Sequence, residues 1–349
     1  MAKRQRIQRE GLVHLDPEKL QRRAIGLGLS KTALADQADI SRNTVYQAFR
    51  GDGVYPNSAL LIATALGVMV EELLPAPREE GSHEAEGEVV GEWRLAEYLG
   101  PWITASNGLQ FRVCDMRHRF VENRRGRGKW YDLLGLSGKE REELRAHLVR
   151  HPTVCERIGN HPNIADNINT RPGSREDAWW VIDRWLPGQT LAEIIGNGSL
   201  PRTQLPSLMT DIAEGLAALH AANVVFRELA PSRIILSETD GRAVLTDFEL
   251  AKLTDTGPTV SRDWPDDPYQ APEVSGGTSD ERSDHYSWGR ILLHAAAGEL
   301  PAKGCDLESL NRIGLPKAVW KVASACLLPA PSDRSRDVKT ILRAISRWK

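Results

Sequence analysis

A short segment near the N-terminus carries a row of side chains that can hydrogen-bond to another molecule. Ser41 is typical of a helix N-cap, and Val45, Ala48 and Phe49 have the spacing of a buried helix face. The opposite face of this helix carries donors and acceptors that suit base edges in the DNA major groove, namely Arg42, Asn43, Thr44 and Gln47. This face is therefore a candidate nucleic-acid interface.

The residues around this segment predict the helices that position it. Asp16-Pro17 is a helix-start signal, Gly26 and Gly28 end that helix, and Ser30 caps the next one. A tight turn at Asp39-Ile40 joins the second helix to the one that begins after Ser41. Two more helices follow through 60–66 and 70–74. The pattern predicts an all-α, five-helix domain over residues 1–74 with a helix-turn-helix at its centre.

The stretch LSKTALADQADISRNTVYQAFRG, followed by LLIATALGVMVEELL, resembles the Cro/CI (lambda-repressor-like) DNA-binding domain. The resemblance implies that Arg42, Asn43, Thr44 and Gln47 contact bases. It also implies a double-stranded inverted-repeat site bound by a homodimer. The cations expected to contact phosphates are Lys3, Arg4, Arg6, Arg9, Lys31 and Arg50. Two alternatives stay open: these residues are only solvated, or the domain docks a protein.

From Glu92 onward, strand-like runs come first and amphipathic helices follow, which predicts a two-lobed α+β domain. The segments EWRLAEYLG, LQFRVCDMR and AWWVIDRW have the patterns of strands. TLAEIIGNG, LPSLMTDIAEGLAALHAAN and SWGRILLHAAAG have those of helices. We place the first lobe at about residues 92–183 and the second at about 184–349.

Seven motifs in this part occur in the chain order of a eukaryotic-like Ser/Thr protein kinase, and the domain resembles that family. They are HPNI, VIDRWLPGQTL, FRELAPSRIIL, DFE, APE, SDHYSWG and PSDR. Kinases transfer a phosphoryl group mainly by positioning it and neutralising its charge, so each catalytic position has a definable task.

The resemblance implies that several of these catalytic positions are degraded. Glu228 stands for the catalytic aspartate, Ala230 for a lysine, and Arg233 for a metal-binding asparagine. Glu249 replaces the glycine of DFG, whereas Asp247 is kept. For Arg233 we expect either an ion pair with Asp247 or Glu228, or direct contact with a ligand phosphate. For Asp247, a turn carboxylate and a cation or nucleotide contact both stay open.

The nucleotide-binding elements are also incomplete. Only Gly100 and Gly108 remain of the glycine-rich loop, and Lys129 is the sole candidate for the strand lysine. Its usual glutamate partner would fall near Pro152, so we expect the Lys–Glu ion pair to be absent. ATP and magnesium binding are therefore disfavoured, and we expect no cofactor and no bound metal.

The positions that stabilise the fold in protein kinases depart less from the family pattern than the catalytic positions do. Asp284 is expected to accept backbone N–H groups of the catalytic loop, and Glu273 to pair with Arg334. Phe226 replaces a histidine and should add to the core, while Arg227 is retained. Loss of chemistry with retention of architecture is the pattern of a pseudokinase.

Composition sets the remaining bounds. The chain has 349 residues and a formal charge of −2, but residues 1–50 hold ten Lys and Arg against five Asp and Glu, a net +5. Residues 75–91 hold five Glu and two Pro, which predicts an acidic flexible linker. The four cysteines form no CxxC pair, and no apolar run suits a membrane span or signal peptide. We therefore expect a cytoplasmic protein.

These observations predict a sequence-specific DNA-binding regulator. Its pseudokinase domain, residues 92–349, would serve sensing, dimerisation or docking of a protein partner, and we expect no enzyme activity. One alternative is an active or residually active ATP-dependent Ser/Thr kinase recruited to DNA. The other is a scaffold in a multi-gene defence or stress system.

Overall fold

The chain forms two compact units, Met1–Ala85 and Glu86–Lys349. The computed structural model describes residues 13, 15–51, 54, 56–74, 88–104, 110–133, 138–173, 178–255, 267–335 and 337–348. Most of the predicted linker lies outside these ranges. Its last residues differ from the prediction, because Val89–Val90 form a strand that pairs with Trp93 and Arg94 of the second unit.

The described part of the first unit is helical apart from an isolated antiparallel bridge between Val13 and Val54. Its helices are α1 (Pro17–Gly26), α2 (Lys31–Gln37), α3 (Arg42–Phe49), α4 (Pro56–Ala65) and α5 (Val70–Leu73). Ser30 Oγ caps α2 by accepting from Ala33 N–H, and Ser41 Oγ caps α3 by accepting from Thr44 N–H, both at 3.1 Å. The apolar faces of these helices meet in one core, which contains Leu20, Leu34, Val45, Ile62 and Leu66.

The first lobe of the second unit is built on one antiparallel sheet. Its strands are β1 (Val89–Val90), β2 (Trp93–Tyr98), β3 (Ile103–Thr104), β4 (Gln110–His118), β5 (Arg125–Asp132), β6 (Asn167–Pro172) and β7 (Ala178–Arg184). The strand order is β1-β2-β4-β5-β7-β6, and β3 pairs with β4. Helices α6 (Gly138–Leu148) and α7 (Arg150–Ile158) lie between β5 and β6 in the chain.

The second lobe is mainly helical. Its helices are α8 (Leu191–Gly196), α9 (Leu205–Ala221), α10 (Glu281–Ala297), α11 (Asp306–Ile313), α12 (Lys317–Cys326) and α13 (Val338–Ile345). Its short strands are β8 (Gly188–Thr190), β9 (Val224–Val225), β10 (Ile234–Ser237), β11 (Ala243–Leu245) and β12 (Lys252–Leu253). Single 3-10 turns lie at Arg202–Gln204, Pro231–Arg233, Pro272–Gly276 and Pro331–Asp333.

Helices α9 and α10 form the centre of this lobe. Trp288 of α10 is fully buried, and its indole N–H donates to the carbonyl of Met209 in α9 at 3.0 Å. This bond satisfies the polar atom that burial of a tryptophan removes from water. The two helices support the loops on which the candidate site lies. No helix among the described residues is long and apolar enough to cross a membrane.

Candidate active-site cleft

A cleft of about 790 Å³ lies between the two lobes of the second unit. One part of its wall is apolar and includes Ile103, Phe111, Val113 and Ile235. The other part is strongly charged. It contains Arg127, Lys129, Glu228, Arg233, Asp247 and Glu249, so the tertiary structure brings together the degenerate catalytic positions and the candidate lysine.

Lys129 lies at the centre of the charged part, and its contacts correct the sequence-based expectation. The residue belongs to β5, which pairs with β4 on one side and β7 on the other. Its ammonium is 2.6 Å from Asp247 Oδ1 and 2.9 Å from Glu249 Oε1. A lysine–glutamate ion pair is therefore present, but the glutamate comes from the DFE motif and not from a helix.

Strand β5 was missed because its sequence, RGRGKWYD, lacks the apolar alternation of a strand. Its two glycines are required by close packing. A Cβ on Gly128 would lie 2.6 Å from Met116 Cγ, and one on Gly126 would lie 2.8 Å from Ile182 Cγ2. The two strands that flank β5 in the sheet, β4 with VCDM and β7 with WWVI, are apolar and bury β5 although its own sequence pattern does not indicate a buried strand.

Glu249 is bound by two donors from the same strand. Besides Lys129, the hydroxyl of Tyr131 donates to Glu249 Oε1 at 2.7 Å. Burial opposes ionisation of Glu249, but the ammonium of Lys129 and this hydrogen bond lower the pKa of its carboxyl. Burial raises the pKa of Tyr131 well above its usual value, and the carboxylates of Glu249 and Asp247 raise it further. Tyr131 thus stays a donor.

Asp247 also forms ion pairs with cationic side chains of the protein, Lys129 and Arg127. Arg127 Nη1 is 3.5 Å from the same oxygen that Lys129 contacts. Although burial disfavours the charged form, Lys129 and Arg127 hold the pKa of Asp247 well below its usual range. Asp247 also has a φ of 70°, a conformation that costs a non-glycine residue about 1–3 kcal/mol and that its surroundings must therefore maintain. The contacts of Asp247 among the described residues are thus with protein cations, and its contact with a metal cation or a nucleotide stays a prediction.

Arg233 pairs with Glu228, one of the partners expected from the sequence. Arg233 Nη1 lies 2.6 Å from Glu228 Oε2 and also donates to the carbonyl of Glu228 at 3.0 Å. Burial lowers the pKa of Arg233, but the carboxylates of Glu228, Asp247 and Glu249 outweigh burial and raise it. Ala230, which replaces a lysine, is buried just before the 3-10 turn that carries Arg233.

Magnesium and ATP, which a kinase cleft implies, do not fit this charge arrangement. Arg233 puts a permanent cation at the position of a metal ligand, and Asp247 and Glu249 together already neutralise Lys129 and Arg127. Among the described lining residues, five carboxylates face these three cations: Glu193, Glu228, Asp247, Glu249 and Asp267. A polyphosphate therefore meets a lining of net negative charge.

Helix α7 contributes a histidine where a kinase helix contributes a glutamate, a residue that the sequence did not single out. His151 Nδ1 accepts from Phe248 N–H at 3.1 Å, which leaves Nε2–H to donate to Asp183 Oδ1 at 2.8 Å. The imidazole also stacks on the ring of Phe248, with centroids 5.4 Å apart. An HP pair near the expected glutamate is the only signal in the sequence for this contact.

The positions expected to support the scaffold make the contacts that the resemblance implies. Asp284 accepts from Phe226 N–H at 2.9 Å and from Arg227 N–H at 2.8 Å. Glu273 pairs with Arg334 at 2.7 Å. Phe226 packs on Phe248 with ring centroids 5.1 Å apart. Arg227 donates to Ser279 Oγ at 2.8 Å, and burial together with Arg150 lowers its pKa to about 10.

In the first unit, the candidate base-contacting residues lie on α3 with unequal exposure. Arg42 and Asn43 are exposed, whereas Thr44 and Gln47 are half-buried. The Thr44 hydroxyl is 2.8 Å from Ser41 Oγ and is thus engaged in the helix cap. Among the phosphate candidates, Lys31 holds its ammonium 4.8 Å from the Phe49 ring centroid and Arg50 is exposed. The remaining ones, Lys3, Arg4, Arg6 and Arg9, lie outside the described residues, as does Gly108.

Residues 136–349 match the family model described as the protein kinase domain. The chain belongs to the protein kinase domain family. The match excludes the N-terminal helices and most of the first-lobe sheet, and it does not bear on whether this kinase domain transfers phosphate.

Several bacterial serine/threonine kinases are similar to the chain over part of its length. PkaA of Streptomyces coelicolor is 34% identical over 40% of this chain and 28% of its own length. PknJ of Mycobacterium tuberculosis is 30% identical over 58% of this chain and 34% of its own length. A probable serine/threonine kinase of Clostridium perfringens is 28% identical over 48% of this chain and 24% of its own length. The chain thus covers about a quarter to a third of these relatives. The comparisons favour a kinase-like function and contain nothing on DNA.

Proposed function

We propose that the chain is a DNA-binding regulator whose kinase domain senses, dimerises or docks a partner without transferring phosphate. The observation that carries this proposal is the internal pairing of every cation in the cleft. Each pairs with a carboxylate at a motif position that a kinase uses for catalysis or metal binding: Lys129 and Arg127 with Asp247, and Arg233 with Glu228. In this proposal neither ATP nor magnesium is a cofactor.

The chemistry of phosphoryl transfer explains why this pairing matters. A catalytic carboxylate must accept a hydrogen bond from the attacking hydroxyl, and a metal must neutralise charge on the transferred group. Glu228 instead faces Arg233 at 2.6 Å, and Asp247 faces Lys129 at the same distance. Both carboxylates would have to leave strong ion pairs before they could take part in catalysis.

The DNA-binding half of the proposal rests on the first unit. A capped helix, α3, exposes Arg42 and Asn43, and α2 precedes it with a turn at Asp39, whose φ of 52° allows the sharp change of direction. Arg pairs bidentately with guanine and Asn with adenine. We propose a homodimer on an inverted repeat, because one such helix buries too little surface for tight, specific binding.

Selection of bound duplexes from a random pool by the full chain, followed by footprinting, tests this half. A single enriched inverted repeat is the expected result. R42A and N43A should each weaken binding about tenfold, because each removes one bidentate base contact. The matched control is R343A, which removes an exposed positive charge from α13 of the other unit. Equal weakening by R343A, or no enriched sequence, contradicts specific DNA binding.

A second candidate function is an active or residually active Ser/Thr kinase. The similarity to bacterial serine/threonine kinases favours it, as do the retained Asp247 and Lys129. Radiolabelled ATP with magnesium or manganese decides between the two, using the wild-type chain and D247A. Incorporation of phosphate that D247A abolishes supports the kinase, whereas equal background in both supports the regulator. A scaffold in a multi-gene system predicts neither DNA enrichment nor incorporation.

A further inference from the structure

The glutamate of the DFE motif holds the strand lysine of the cleft. Glu249 Oε1 accepts from Lys129 Nζ at 2.9 Å and from the Tyr131 hydroxyl at 2.7 Å, and all three residues are buried. We propose that Glu249 is a positioning residue for Lys129, so that the segment after β11 sets the place of the ammonium. This inference is independent of DNA binding and of phosphate transfer.

Helix α7 offers no competing partner for the lysine. Its single carboxylate belongs to Glu156, which is exposed. The α7 residue that reaches the DFE motif is His151, and both of its ring nitrogens are engaged, with Phe248 N–H and with Asp183. The helix is therefore tied to the same segment as Lys129, but it does not contact the ammonium through a carboxylate.

The geometry of β5 explains why one carboxylate suffices for two donors. Residues two apart in a strand project from the same face, so Lys129 and Tyr131 both point toward Glu249. Glycine at position 249, the residue of the DFG motif, would leave the buried Tyr131 hydroxyl without this acceptor and Lys129 with Asp247 alone. Glu249 thus gives the buried Lys129 and Tyr131 a shared acceptor that a glycine at this position would lack.

Acylation of lysine amines tests the proposal on the full chain. N-hydroxysuccinimidyl acetate is the probe, and mass spectrometry gives the rate at Lys129 relative to the exposed Lys339. We expect slow modification in the wild-type chain and about tenfold faster modification in E249Q and E249G, the effect of losing one charged hydrogen bond. E249D, which keeps the charge, should restore most of the protection.

Unchanged acylation of Lys129 in E249Q and E249G, with Lys339 also unchanged, overturns the proposal. If neither variant folds, Y131F decides, because it keeps Glu249 and removes only the second donor that holds it. Faster acylation of Lys129 in Y131F supports the positioning role. An unchanged rate in Y131F rejects it. Equal acceleration in E249D and E249Q also rejects it, since a charged partner would then be irrelevant.

Discussion

Arg233 Nη1 lies 2.6 Å from Glu228 Oε2, so the position of a kinase metal ligand and that of the catalytic carboxylate neutralise each other. Both residues are largely buried, and Arg233 additionally donates to the Glu228 carbonyl. The pair closes the segment from residue 228 to residue 233, because Arg233 contacts both the side chain and the backbone carbonyl of Glu228.

Removing one partner of this pair should be costly. R233N leaves the Glu228 carboxylate buried without its guanidinium, and breaking a buried ion pair costs about 3–5 kcal/mol. The change can be followed by urea unfolding with tryptophan fluorescence, because all ten tryptophans lie in the second unit. The double variant E228Q/R233N, which removes both charges, should recover part of the loss.

The exposed Arg312–Glu308 pair is the matched control. Since exposed ion pairs contribute about 0–1 kcal/mol, R312N should change the free energy of unfolding little. A loss in R233N no larger than that in R312N would contradict a structural role for the Arg233–Glu228 pair.

Asp284 should be important for the stability of the catalytic loop. Its carboxylate accepts from the N–H groups of Phe226 and Arg227 and from His220 Nε2 at 2.9 Å. Arg227 has a φ of 70°, which these bonds help to maintain. D284N replaces one acceptor oxygen by a donor and should lower the free energy of unfolding by about 3 kcal/mol. Tryptophan-monitored urea unfolding measures the loss.

Asp255 provides the control for D284N, because it is half-exposed and pairs with Arg157 at the surface. D255N should lower the free energy of unfolding by less than about 1 kcal/mol. If D284N and D255N lower the free energy of unfolding by similar amounts, the hydrogen bonds from Asp284 to the loop do not stabilise the fold more than an exposed ion pair does.

Stability should fall in mild acid because of His285. Burial and the neighbouring His220 lower the pKa of His285 to about 4, below the usual value of about 6.5. As the pH falls from about 6.5 toward 4, His285 therefore binds a proton in the unfolded chain but stays neutral in the folded chain. By linkage, the contribution of His285 to the free energy of unfolding should fall by about 1–3 kcal/mol over this window.

H285N isolates this effect, because an asparagine amide can donate to the Ser335 carbonyl in place of Nδ1–H. His161 and His294, whose pKa values burial also lowers, contribute with the same sign in both proteins. The carboxyls of Asp183, Asp247 and Glu249 have lowered pKa values and lose their contribution at more acid pH. Urea unfolding at pH 6.5 and pH 5 should show a smaller decline in H285N than in the wild type; equal declines refute the assignment.

The N-cap of α3 should control the local stability of the proposed DNA-contacting helix. Ser41 Oγ accepts from Thr44 N–H at 3.1 Å, and replacing a serine N-cap by alanine costs about 1 kcal/mol. S41A should therefore speed amide hydrogen exchange in residues 42–50 several-fold. S324A, at a half-buried position within α12 of the other unit, should leave that exchange unchanged. The prediction fails if S41A exchanges like the wild type.

The helices of the first unit and the kinase fold of the second could be predicted because their signals are local. Ser30 and Ser41 cap helices by accepting from N–H groups three residues later, and Asp16, just before Pro17, does the same with Lys19 N–H. The seven motifs placed Glu228, Arg233 and Asp247 in one site by their order along the chain. The choice of Glu228 over Asp247 as partner of Arg233 was left open, since both are near the same loop.

The partner of Lys129 depended on tertiary structure alone. Glu249 is 120 residues away in sequence, and the contact exists only because β5 is enclosed by β4 and β7 and faces the segment after β11. Sequence by itself determined the helices of the first unit and the order of the kinase motifs, whereas β5 was recognised only in the structure. The packing of the two lobes decided which charges neutralise one another, because a buried ion takes the nearest counter-ion whatever its distance along the chain.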